Sequence, residues 1–210
     1  MEAIADEDVE SHDGTFKAAH DDEYLYVLFT VDDDFDWNAD DAHLSAASAV
    51  LWAVDEGAGS AMGAEEPDRN TSLGMVDIWH WELECAIGEE MGGRVAGPGD
   101  GDGGNDSGCN LDDEWSTNPE TREDDNGEGA ENSLLGVFGH SNPVAGGAGT
   151  WYFEISRPLQ TGDVHDAQFA VGDTSLLALA YWDPDFSVEG WDDAGHVQTA
   201  NQGFIAVTLT

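Results

Sequence analysis

Short apolar runs separated by turn residues recur along the whole of this chain. Residues 15–20 are followed at 23–31 by EYLYVLFTV, rich in aromatic and β-branched side chains. The Asp21-Asp22 step between the two runs predicts a tight hairpin. Further strands are predicted over 47–54 (ASAVLWAV), 76–82 (VDIWHWE), 150–156 (TWYFEIS), 175–182 (SLLALAYW) and 203–209 (GFIAVTL). Side chains alternate across a strand, so Val76, Ile78 and His80 share one face of 76–82, while Trp79 and Trp81 share the other. No capped amphipathic run reaches helical length; 42–53 comes closest, and its end reads better as strand. Many short strands divided by Gly, Asp and Pro predict an all-β fold, an antiparallel β-sandwich of jelly-roll-like type, in one domain over 1–210.

Residues 95–133 stand apart. They offer little to bury beyond Val95, Leu111 and Trp115, and are crowded with Gly, Asp, Glu and Asn. Such a stretch does not offset its ordering entropy by burial, so it reads as a long, acidic, Gly-rich insertion, solvated and irregular. Within it, GDGDGGNDSG (99–108) suggests calcium, but the EF-hand pattern fails. Gly104 stands where a third oxygen ligand belongs, and no glutamate falls at the twelfth position. Acidic Gly-rich loops are ordinary in this composition, and calcium is not assigned there.

Charge changes the picture next. Five basic residues against 46 acidic ones give a net charge of −41, with the acids spread along the chain. Such a chain repels itself unless salt screens it, and at molar salt the screening length falls to ~3 Å. The composition therefore points to a high-salt environment rather than to one acidic patch. With no clustered Lys or Arg, nucleic acid and anionic membrane surfaces are excluded as partners. No apolar run approaches the roughly 20 residues of a spanning helix, and membrane insertion is not expected. The start, MEAIADEDVESHDG, lacks the basic and apolar regions of a signal peptide. That leaves two expectations open: a cytoplasmic protein, or a longer precursor. Cys85 and Cys109 could pair or stay as thiols, and without a C-x-x-C-H step covalent c-type haem attachment is excluded.

Three stretches together carry a family resemblance. They are AAHDDEYLYVLFTVDDDFD (18–36); AMG (61–63) with VDIWHWE (76–82); and WYFEISRPLQTGD (151–163) through FAVGDTSLLALAYWD (169–183) to WDDAGHVQTANQGFIAVTL (191–209). In order and spacing they resemble the haem-binding gamma subunits of the ethylbenzene dehydrogenase and dimethyl sulfide dehydrogenase group. The resemblance implies a β-sandwich holding one non-covalent haem b at the ends of its sheets, between a methionine and a lysine. The methionine of the family's Met-Gly step falls on Met62-Gly63. The lysine's place, ahead of the last strand, reads Asp193-Ala194-Gly195-His196-Val197, so His196 stands where the family has lysine. Iron–sulfur and molybdenum subunits of an oxidoreductase and a soluble electron carrier are the partners it implies, in an extracytoplasmic space.

The residues themselves bear on this partly. A buried b haem needs one or two axial donors, an apolar slot and polar partners for its propionates. A thioether with a nitrogen donor fills both axial positions, which suits electron transfer and raises the potential. Eight tryptophans could wall such a slot. Met62 lies in a Gly- and Ala-rich loop; Met75, directly before 76–82, and Met91, after it, are rivals with ordinary packing as their alternative. His196 otherwise reads as a solvated loop residue. His80 faces a pocket or is a satisfied core histidine, and His20 reads as structural. Arg157 neutralises a propionate, or forms a buried ion pair with an aspartate. No nucleophile-elbow spacing surrounds any serine, so an electron-transfer subunit rather than an enzyme is expected. The competing reading is a carbohydrate-binding β-sandwich module that stacks sugars on exposed Trp and Tyr.

Overall fold

The computed structural model describes residues 4–5, 12–38, 42–65, 69–83, 110–125, 133–186, 196–200 and 203–210. Among these the fold is all-β and antiparallel. The strands are β1 (Ile4–Ala5), β2 (Gly14–His20), β3 (Tyr24–Asp33), β4 (Ala47–Ala53), β5 (Val76–Glu82), β6 (Asn110–Ser116), β7 (Glu123–Asp124), β8 (Leu135–His140), β9 (Gly149–Pro158), β10 (Thr174–Trp182), β11 (His196–Gln198) and β12 (Ile205–Thr208). One sheet runs β1-β11-β10-β4-β5-β6-β7, with β12 also on β10; the other runs β2-β3-β9-β8. No helix among the described residues is long and apolar enough to cross a membrane.

The predicted hairpin is β2–β3, and Asp21 closes it. The Asp21 carboxylate accepts from the backbone N–H of Glu23 at 2.8 Å and of Tyr24 at 2.7 Å, the Asx geometry that favours Asp in such turns. The alternation of β5 holds as the sequence predicts. Trp79 and Trp81 enter the core between the sheets with Val50, Trp52, Leu179, Phe153 and Ile155. Trp81 meets Phe138 of the facing sheet edge-on, at 5.4 Å between ring centroids.

The outer face of the larger sheet carries a second apolar cluster. Ala49 and Leu51 of β4, Val76 and Ile78 of β5, Ala178 of β10 and Ala200 form it. Met62, Ala180, Trp182 and Phe204 pack against it.

The solvated insertion expected over 95–133 does not hold over 110–125. Residues 110–116 are β6, paired along β5 from Val76↔Ser116 to Glu82↔Asn110. Leu111, Asp112, Asp113, Glu114 and Ser116 are buried. The acidic sequence hides the strand, because Asp113 is buried beside Arg157 and Glu114 beside His80 and Arg122 rather than among apolar side chains. Residues 95–109 and 126–132, with the 99–108 motif and Cys109, lie outside the described residues, as does Cys85. β8 was also not predicted, since its glycines read as turn. A Cβ on Gly136 would stand 2.5 Å from the Trp81 ring and 2.6 Å from the Glu154 carbonyl, so only glycine fits there.

Candidate functional site

The loop between β4 and β5 presents Met62 to the outer cluster. Gly59 and Gly63 exchange backbone hydrogen bonds of 3.2 and 2.9 Å, and Leu73 N–H donates to the Gly63 carbonyl at 2.8 Å. Gly63 has φ +92°, and a Cβ there would lie 2.4 Å from the Gly74 carbonyl oxygen. Met62 itself has φ +52°, in the left-handed region that non-glycine residues seldom occupy. Such a conformation costs of order 1–3 kcal/mol, persists only where the surroundings impose it, and concentrates at functional positions. Its half-buried side chain packs against the outer apolar cluster.

On the same face, Trp182 lies between two histidines. His196, the first residue of β11, stacks on it at 5.2 Å and 29°; His80 of β5 lies 5.0 Å from it at 42°. Register accounts for this: Trp182 pairs with His196 across β10–β11, and Ala180 and His80 flank Ala49 from opposite sides. His80 is buried with its Nδ1 3.5 Å from Glu114 Oε1, and Arg122 Nε stands 3.6 Å from the other oxygen of that carboxylate. Met62 and Trp182 thus pack against the same outer-face cluster, and His196 and His80 adjoin it through their ring contacts with Trp182. Met75 is half-buried and outside both apolar clusters, and Met91 lies outside the described residues.

Arg157 is not part of that grouping. It sits on β9 in the core between the sheets, fully buried, on the opposite face of β5 from His80. Its Nη1 lies 2.7 Å from Asp77 Oδ2, 3.1 Å from Asp166 Oδ1 and 3.9 Å from Asp113 Oδ1. The other terminal nitrogen donates to the Ala167 carbonyl, and the guanidinium lies 4.8 Å over the Trp79 ring. The expectation that Arg157 holds a propionate is corrected: the alternative, a buried ion pair, is what forms. Burial pushes Asp77 up to about 7 and Asp113 well above the ordinary carboxylate range. Asp166 repels Asp77 while Arg157 pulls it down.

Two further groupings escaped sequence reasoning. His12 Nε2 lies 3.2 Å from Asp183 Oδ2, and the Tyr181 hydroxyl donates to Asp33 Oδ2 at 2.6 Å. Burial opposes the His12 charge, but Asp183 and Asp33 hold its pKa above the ordinary value. Beside it, burial and then repulsion from Asp34 and Asp185 push Asp36 up to about 7. In the second grouping His165 stacks on Trp115 at 4.4 Å and lies 3.0 Å from Asp125, whose burial pushes it up to about 6. In a chain with 46 acids, spacing alone does not single these out.

Comparison with known proteins adds no relative: no family model matches the chain, and no curated protein matches it. The donor set on the outer face can be judged on its chemistry. A thioether and an imidazole bordering an apolar, alanine-rich floor fit the iron and ring of a b-type haem. The buried interior holding Arg157 does not, since its guanidinium is committed to carboxylates.

Proposed function

We propose that this chain is a b-type cytochrome domain that carries electrons in a molybdenum oxidoreductase complex. It would pass them between an iron–sulfur subunit and a soluble carrier, outside the cytoplasm and in high salt. The partners, the compartment and the cofactor rest on the family resemblance of 18–36, 61–82 and 151–209. One observation supports the cofactor most: Met62, a non-glycine residue at φ +52°, is pinned in a tight loop with its thioether on the outer apolar cluster that Trp182 joins to His196. Haem b, when bound, supplies a one-electron couple at its iron.

The chain's own residues divide the remaining tasks. Met62 would donate its thioether and His196 its imidazole, with Trp182 fixing the His196 ring by stacking. Ala49, Ala178 and Ala180 keep the floor low and apolar, which admits a flat ring and excludes water. His80, 2% exposed and beside Glu114, lies against the Trp182 ring at the edge of that floor. Arg122, paired with Glu114 at 3.6 Å and partly exposed, would be the guanidinium nearest this face for a propionate.

The sugar-binding alternative has less support. Among the described residues, Trp52, Trp79, Trp81 and Trp151 are buried and Trp37, Trp115 and Trp182 half-buried, which leaves Tyr26 and Tyr152 as exposed Tyr or Trp rings. Titration of the purified chain with haemin in molar KCl tests the proposal. One equivalent should give a Soret band that sharpens and shifts on reduction. An unchanged free-haemin spectrum, with protein fluorescence responding to oligosaccharide instead, would overturn it.

A further inference from the structure

Three carboxylates converge in the sandwich core: Asp77 of β5, Asp113 of β6 and Asp166 of the β9–β10 connection. Exposure is 0% for Asp77 and Asp113 and 2% for Asp166. One ligand oxygen from each lies within 4.8 Å of the others. Against them stands one guanidinium, Arg157, so the ionised cluster retains two negative charges away from water. Arg157 Nη1 is within hydrogen-bond distance of Asp77 Oδ2 and Asp166 Oδ1, and within ion-pair distance of Asp113 Oδ1. Asp77 Oδ1, Asp113 Oδ1 and Asp166 Oδ2 are buried with no hydrogen-bond partner. Buried polar groups are nearly always satisfied, so three such oxygens in one cluster call for an occupant.

A second observation points the same way. The Asp113 side chain, fully buried, turns Oδ1 into the cluster, 3.9 Å from Arg157 Nη1 and beyond hydrogen-bond reach. Its other oxygen is held from outside by the Ser133 N–H at 3.4 Å, and the Ser133 hydroxyl is also buried and unpartnered. Asp113 is therefore held by Ser133 on one oxygen, while the other faces Arg157 at ion-pair distance without a hydrogen bond.

We propose that Asp77, Asp113 and Asp166 form a structural site for one divalent hard cation of the calcium type, separate from the outer-face haem patch. Calcium takes oxygen ligands at ~2.3–2.6 Å, so two ligands of one ion lie at most about 5 Å apart, a limit that one oxygen from each carboxylate meets. A divalent charge balances the residue that Arg157 leaves. Asp125, buried, donates its backbone N–H to the Asp113 carbonyl at 2.9 Å and lies 3.0 Å from the half-exposed His165. The ion would tie β5 and β6 of one sheet, through Arg157, to β9 of the other.

Chelator-treated full-length chain in molar KCl, where the acidic surface is screened, provides the test. Terbium is titrated first, with emission excited through tryptophan, and then displaced with calcium. The melting temperature is followed in parallel. Sensitised emission should saturate at one equivalent, calcium should displace it, and calcium should raise the melting temperature. Asp113→Asn should abolish saturable emission and the calcium-dependent rise, while Asp22→Asn, on the exposed hairpin turn, leaves both unchanged. Asp113→Asn also removes a buried charge, so without calcium it should melt at or above the parent. Emission that climbs without saturating, a melting temperature indifferent to calcium, or wild-type binding by Asp113→Asn would each overturn the site.

Discussion

Replacing Arg157 by methionine keeps most of the buried volume and removes the charge. Three contacts go with it: Asp77 at 2.7 Å, Asp166 at 3.1 Å and the Ala167 carbonyl. Removing one partner of a buried ion pair costs roughly 3–5 kcal/mol, because the remaining charge is left uncompensated. The cation–π contact with Trp79 at 4.8 Å adds up to about 2 kcal/mol. Part of this is recovered when Asp77 and Asp166 take up protons, which is easier at low pH. A net loss of about 4 kcal/mol at pH 8 is expected, or roughly 8–16 °C in a domain of this length. At pH 5 the loss should be under half of that. Circular-dichroism melts of both proteins at the two pH values, in molar KCl with chelator, measure it. A loss below about 2 °C at pH 8, or one equal at both pH values, would refute the charge-balancing role given to Arg157.

Other outcomes follow from the same structure. At −41, lowering salt from molar to millimolar lengthens screening to tens of ångströms, so the melting temperature should fall steeply, and one indifferent to salt would contradict this. Asp36 and Asp77 are raised to about 7 and Asp125 to about 6, so between about pH 4 and pH 7 the folded chain binds more protons than the unfolded one. Stability without divalent cation should therefore fall as pH rises through that window. His12, raised above its ordinary value, acts in the same direction, being lost as pH rises through its folded pKa. A chemical-denaturation midpoint that climbs from pH 5 to pH 8 would show the wrong sign. Gly63→Ala places a Cβ 2.4 Å from the Gly74 carbonyl at φ +92°, and should cost roughly 1–3 kcal/mol and displace Met62, read as loss of both stability and haemin affinity.

The fold was legible where burial is apolar. The Asp21-Asp22 turn, the β5 alternation and the runs over β4, β9 and β10 all follow from side-chain periodicity. β6 was hidden because NLDDEWS is buried by pairing: Asp113 faces Arg157, while Glu114 faces His80 and Arg122. Periodicity registers apolar burial and is blind to carboxylates that meet their partners from distant strands. β8 was hidden by Gly136, present because Trp81 leaves no room for a Cβ. Among the site residues, the parity of His80 against Trp79 and Trp81 was readable. That Met62 and His196 reach one outer face depends on the β10–β11 register and the β4–β5 loop, neither of which leaves a sequence signal. Arg157 shows the limit from the other side: one arginine among so many acids had two sensible partners, and only the sheet packing decides between them.

The proposed ligand pair is tested most directly by near-infrared magnetic circular dichroism of the oxidised, haemin-loaded chain, read beside its reduction potential. Methionine ligation gives a charge-transfer band in that region that bis-nitrogen ligation lacks there. With Met62 and His196 as ligands, Met62→Ala removes the band and lowers the potential while the domain stays folded, and His196→Lys keeps the haem six-coordinate and low-spin. A band and potential untouched by Met62→Ala would contradict the assignment.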